Sequence, residues 1–123
     1  MIKLTTVVST SLLAVALSGA AFAAENAEGV REHMALTLEK SKEALASATA
    51  GNKDECLVNI KSAKQHYKEI TGDAAGKPLQ DAIKVMKVGQ EECEKGDTAK
   101  ASETLKGVVA ALEKINALVQ SSN

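Results

Sequence analysis

Aromatic side chains are nearly missing from this chain, which has one Phe, one Tyr and no Trp. Without stacking surfaces it cannot hold unpaired bases as single-strand nucleic-acid binders do. An excess of one charge is missing too, since 15 basic residues stand against 16 acidic ones. That balance offers no basic face to nucleic acid or to an anionic membrane. The motifs of common enzymes are absent: there is no G-x-x-x-x-G-K-[ST], no G-x-G-x-x-G, no H-E-x-x-H and no nucleophile elbow. No enzymatic activity is expected. Proline occurs once, at Pro78, so little interrupts a helical chain.

Long apolar runs are lacking as well, with one short exception at the start. Lys3 supplies a positive n-region, Val7 to Leu17 an apolar core, and Ala21-Phe22-Ala23 a small-x-small site. These are the three parts of a secretory signal, and the core is shorter than the roughly 20 residues a membrane span needs. Residues 1–23 are therefore expected to be removed before Ala24, leaving a periplasmic or secreted domain over 24–123 with no membrane span. About 100 residues make one modest domain.

What is present is helical periodicity. Apolar positions spaced by four and three run through Cys56, Ile60, Ala63, Tyr67 and Ile70, and again through Leu79, Ala82, Met86, Gly89 and Cys93. Folding the chain between Gly72 and Lys77 sets Ile60 level with Gly89, Ala63 with Met86, Tyr67 with Ala82, Ile70 with Leu79, and Cys56 with Cys93. Large residues mostly meet small ones, as a packed interface requires. The only two cysteines thus fall side by side, and an exported chain is expected to join them. Closing that loop stabilises a fold by roughly 4 kcal/mol on the chain-entropy model. A redox-active or metal-binding thiol pair is the alternative, but the spacing is not C-x-x-C.

Helices are expected over about 27–50, 54–71, 78–95 and 98–120. Val30, Met34, Leu38, Leu45 and Ala48 are the apolar positions of the first, an amphipathic helix, and Ala101, Leu105, Val108, Leu112, Ile115 and Val119 form the seam of the last. Gly51-Asn52 and Gly96-Asp97 stop the helices before them; Asp54 and Asp97 are the expected N-caps of the helices that follow. Pro78 suits a first helical turn. A near-repeat of 45 residues supports the division. It carries Gly51-Asn52 onto Gly96-Asp97, Cys56 to Ile70 onto Ala101 to Ile115, and Met34, Thr37, Ser41, Ala44 and Ala48 onto Leu79, Ala82, Met86, Gly89 and Cys93. The expected fold is all-α, an antiparallel up-down-up-down four-helix bundle with one disulfide.

His33 and His66 are the only histidines. Each flanks a seam, with Glu32 beside the first and Glu69 one turn beyond the second. Imidazole with a nearby carboxylate suits copper, nickel or zinc, so these four are the candidate metal ligands. Counting levels, His33 stands opposite about Thr71 and roughly 7 to 8 Å along the axis from His66. Added to an interhelical gap of about 8 to 10 Å, this predicts separate sites unless carboxylates help. A mixed site with Cys56 fails, because Cys56 and His66 lie roughly 15 Å apart on one helix. Haem is not expected: C-x-x-C-H is absent, and although Met34 could serve as one axial ligand of a cytochrome b562-like site, Asp97 to Asn123 holds no histidine.

Several segments point to a family. They are Glu43-Ala44-Leu45-Ala46 with Gly51 and Asp54, then Leu57, Lys61, His66 and Lys68, Ala82-Ile83-Lys84, and Glu94-Lys95-Gly96-Asp97. Over residues 40 to 115 the chain resembles the small metal-binding proteins, exported four-helix bundles of the cytochrome b562-like shape that take up divalent metals through histidines along their helices. The resemblance implies metal binding at His66, while Ser47, Asn52, Asn59, Val85 and Asp97 stand where further imidazoles would be expected. The leading expectation is weak divalent-metal binding. The alternative is a non-catalytic structural or interaction module with a protein partner in the cell envelope.

Overall fold

A computed structural model describes residues 22–121, which form four α-helices and no strand. They are α1 (Phe22–Thr49), α2 (Lys53–Tyr67), α3 (Lys77–Glu94) and α4 (Thr98–Ser121), with a one-turn 3-10 segment, Gly72–Ala75, between α2 and α3. Of the expected signal segment, residues 1–21 lie outside the described residues. The four helices pack as an up-down-up-down bundle in which α1 lies against α2 and α4, and α3 against α4; the α2–α3 face is the smallest of the four. No described helix is long and apolar enough to cross a membrane.

The two tight turns are copies of one another. Gly51 and Gly96 adopt φ of 77° and 83°, a left-handed conformation that glycine enters without the steric cost of a side chain. Each ends its helix with the same pair of bonds: Gly51 N–H to Ala48 and Asn52 N–H to Ser47, matched by Gly96 N–H to Cys93 and Asp97 N–H to Glu92. This is the paired arrangement of a Schellman motif, which satisfies carbonyls that a helix end would otherwise leave open. The next helix then begins alike, with Asn52 Oδ1 accepting from Glu55 N–H at 3.1 Å and Asp97 Oδ1 from Lys100 N–H at 3.3 Å. Every one of these bonds maps onto its counterpart by adding 45. The N-cap of α2 is therefore Asn52, not the expected Asp54, which sits in the first turn of the helix. The glycine stop leaves Asn52 extended and in position to cap, so the helix has already begun when Asp54 is reached.

α2 is shorter than the periodicity predicts. Beyond Tyr67 the bonds tighten to three-residue spacing, Glu69 N–H to His66 and Ile70 N–H to Tyr67, which closes the helix before Ile70. Ile70 is buried all the same. α1 begins earlier than expected, at Phe22.

Met34, Ile60, Leu79, Met86, Leu105 and Leu112 are fully enclosed. On α1 the buried seam follows the repeat rather than hydropathy: Thr37 and Ser41 are as enclosed as Met34 and Ala44. Their hydroxyls donate back to the helix, Thr37 to the His33 carbonyl and Ser41 to the Thr37 carbonyl, each at 2.7 Å. A polar group bonded within its own helix is buried without an orphaned donor, which is how these residues pass as core. Small side chains let helices approach. A Cβ added at Gly89 would lie 3.2 Å from the Leu105 side chain. Gly89 thus makes room for α4, whereas level counting set it against Ile60; a bundle seam faces the centre and both neighbouring helices, and spacing alone does not choose between them.

The expected disulfide is present. Cys56 and Cys93 are bonded at 2.06 Å with Cα atoms 6.5 Å apart, and both are fully buried. It joins α2 to α3, the neighbouring pair with least mutual packing.

Candidate metal site

His33 immediately precedes the seam residue Met34, and His66 immediately precedes the seam residue Tyr67. In an antiparallel pair, positions with the same offset from the seam fall on the same side of the interface, as matching flank positions do in coiled coils. Both rings sit there half-buried. The His33 backbone is held by the Thr37 hydroxyl on its carbonyl, and His66 lies in the last turn of α2.

The structure brings the two imidazoles together. His33 Nδ1 and His66 Nδ1 are 3.2 Å apart, with ring centroids 5.4 Å apart and planes tilted by 34°. Rings too far apart to share one ion were the expectation, and this contact overturns that distance. Level counting added an axial offset to the gap between helix axes, and across that gap each Cα already stands about 2.3 Å off its axis, with each imidazole reaching farther still. The shared offset from the seam is the sequence signal that would have found the pair.

At 3.2 Å one Nδ1 donates its proton and the other accepts it. The same separation suits a metal. Two imidazole nitrogens bound at about 2.0–2.1 Å to one ion lie about 2.9 to 3.4 Å apart for bond angles between square-planar and tetrahedral. An ion held by both Nδ1 atoms would require the donor ring's proton to sit on its Nε2.

The carboxylates behave differently. Glu32 and Glu69 are exposed, and among the described residues no group of three or more His, Cys, Asp or Glu side chains is placed to hold one ion. They are neighbours of the histidines in sequence and are not gathered with them into a cluster. Cys56 and Cys93 offer no thiolate, because both are in the disulfide.

Positions where the resemblance leads one to expect imidazoles have structural work instead. Asn52 and Asp97 cap helices. Asn59 Nδ2 donates to Ser47 Oγ at 3.2 Å, tying α2 to α1. Adding 45 converts that tie into Thr104 Oγ1 donating to Glu92 Oε1 at 2.7 Å between α4 and α3. The repeat thus persists as a hydrogen bond after the residue types have changed.

It also relates the histidines to a feature that sequence reasoning missed. A groove of about 280 Å³ between α3 and α4, mostly apolar, is lined by Pro78, Val85, Gly107 and Ala111 among others. These are the counterparts of His33, Lys40, Ser62 and His66. Where the first hairpin carries two rings and a long cation, the second carries proline, valine, glycine and alanine, and the space stays open. Compared with family models, curated proteins and solved structures, the chain shows no significant match to any.

Proposed function

We propose that this chain is an exported, non-enzymatic helical bundle, related to the small metal-binding proteins, that binds a divalent ion of copper, nickel or zinc through His33 and His66. The observation that supports this most is the 3.2 Å approach of the two Nδ1 atoms, a bite that matches two nitrogens on one ion. Two neutral nitrogens with no carboxylate in the cluster make a weak site with most of its coordination sphere open. Glu32 and Glu69 supply negative charge in the neighbouring turns and no direct bond. The disulfide fits an oxidising compartment.

Isothermal titration of the untagged protein with Cu(II) tests the reading. A single class of site is expected, abolished by His66→Ala and equally by His33→Ala, because one ion needs both rings. Heat no greater than the buffer control would remove metal binding as the function. Two independent sites, each surviving loss of the other histidine, would remove the shared ion.

A further inference from the structure

We infer that the His33–His66 pair is half of a site that a second copy of this chain completes, four imidazoles from two copies enclosing one zinc ion. The inference rests on the metal reading above and adds the partner. Zinc closes its shell with four ligands in tetrahedral array when it holds structure together. One copy supplies two nitrogens 3.2 Å apart, and among the described residues no third His, Cys, Asp or Glu joins them. The shortfall is therefore two ligands, which is the number an identical pair provides.

A two-fold axis through the metal satisfies this count with one surface patch meeting itself, the commonest form of protein dimer. Three properties of the pair suit that arrangement. The rings are half-buried at the flank of the α1–α2 interface, so an ion between them has its remaining positions turned outward. They come from two helices that also pack along their lengths, so the bite is held before the metal arrives and less ordering is needed on binding. The chain is close to neutral, with 15 basic and 16 acidic residues, so two copies meet without strong repulsion.

Sedimentation velocity of the untagged protein, with zinc added in steps, decides the matter. The expected result is a monomer in chelator, a doubling of mass complete at half an equivalent of zinc per chain, and reversal by EDTA. X-ray absorption at the zinc edge should then show four nitrogen neighbours of imidazole type. His33→Ala and His66→Ala should each abolish the doubling while keeping the helical circular dichroism. If either variant fails to fold, the half-equivalent stoichiometry and the four-nitrogen shell of the unaltered protein carry the test. Zinc bound one per chain with no change of mass would overturn the dimer and leave the metal reading standing. No binding of zinc or copper would overturn both. A dimer that forms in chelator, or one that survives loss of each histidine, would overturn the bridging site.

Discussion

The two hairpins of this bundle, α1–α2 and α3–α4, share a turn, a cap and a cross-helix tie, and differ at the proposed metal site. At the turn, every backbone bond around Gly51-Asn52 has its partner around Gly96-Asp97. At the other end His33 and His66 touch in one hairpin, while Pro78 and Ala111 border an open groove in the other. The comparison separates residues that hold the repeat together from those that distinguish one copy from the other. Turn glycines, caps and enclosed seam positions belong to the first kind; the histidine positions belong to the second.

The largest effect expected from breaking that comparison is a gain. Pro78→His combined with Ala111→His places two rings at the counterparts of His33 and His66, and should double the metal bound per chain in a Cu(II) titration. Unchanged stoichiometry would show that the hairpins differ in more than these side chains.

Next comes the link between the hairpins. Replacing Cys56 and Cys93 by Ala should lower stability by roughly 4 kcal/mol in urea unfolding, because the bond spans 37 positions of chain and joins the least-packed pair of neighbouring helices. A loss well under 2 kcal/mol would mean that the α2–α3 face holds without it.

Smaller and more symmetric are the caps. Asn52→Ala and Asp97→Ala should each cost about 1 kcal/mol, and the two losses should agree closely, since the bonds they remove are the same. Unequal losses would limit the likeness of the turns to geometry.

The smallest effect concerns Asp81, at the groove. Its hydrogen bond from Lys77, at 2.9 Å, holds its carboxyl below its ordinary value, against an opposing desolvation and with the charges of Lys77 and Lys84 acting in the same direction as the bond. A carboxyl lowered on folding adds stability that is fully present above its unfolded value and is lost as pH falls through the folded one. Asp81→Asn should therefore flatten the acid limb of the stability curve slightly and leave stability at neutral pH nearly unchanged, since exposed pairs contribute little.

Much of this architecture was legible from residue spacing. The cysteines were matched by a seam count that depends only on helical period, and the repeat identified Thr37 and Ser41 as seam positions that hydropathy alone would place at the surface. The rest depended on quantities that spacing does not carry. The histidine contact turned on the reach of side chains across a gap, and the partner of Gly89 on which of two neighbouring helices comes closer. Asn52 was passed over as a cap because Asp54 offered an equally good side chain two residues later; the conformation imposed by Gly51 decided between them. The end of α2 was set by three-residue bonds that leave the apolar pattern through Ile70 unbroken. The groove had no sequence signal of its own and became visible as the counterpart of an occupied position.

The disulfide has a mechanical consequence. Cys56 lies one turn after Gly51 and Cys93 one turn before Gly96, so the covalent bond and both tight turns gather at one end of the bundle. That end is clamped. The opposite end holds the longer connection through Gly72–Ala75, together with the histidines and the groove. The molecule is built like a pair of tongs riveted at the handle, and amide exchange should slow steadily from the 3-10 segment toward the cysteines.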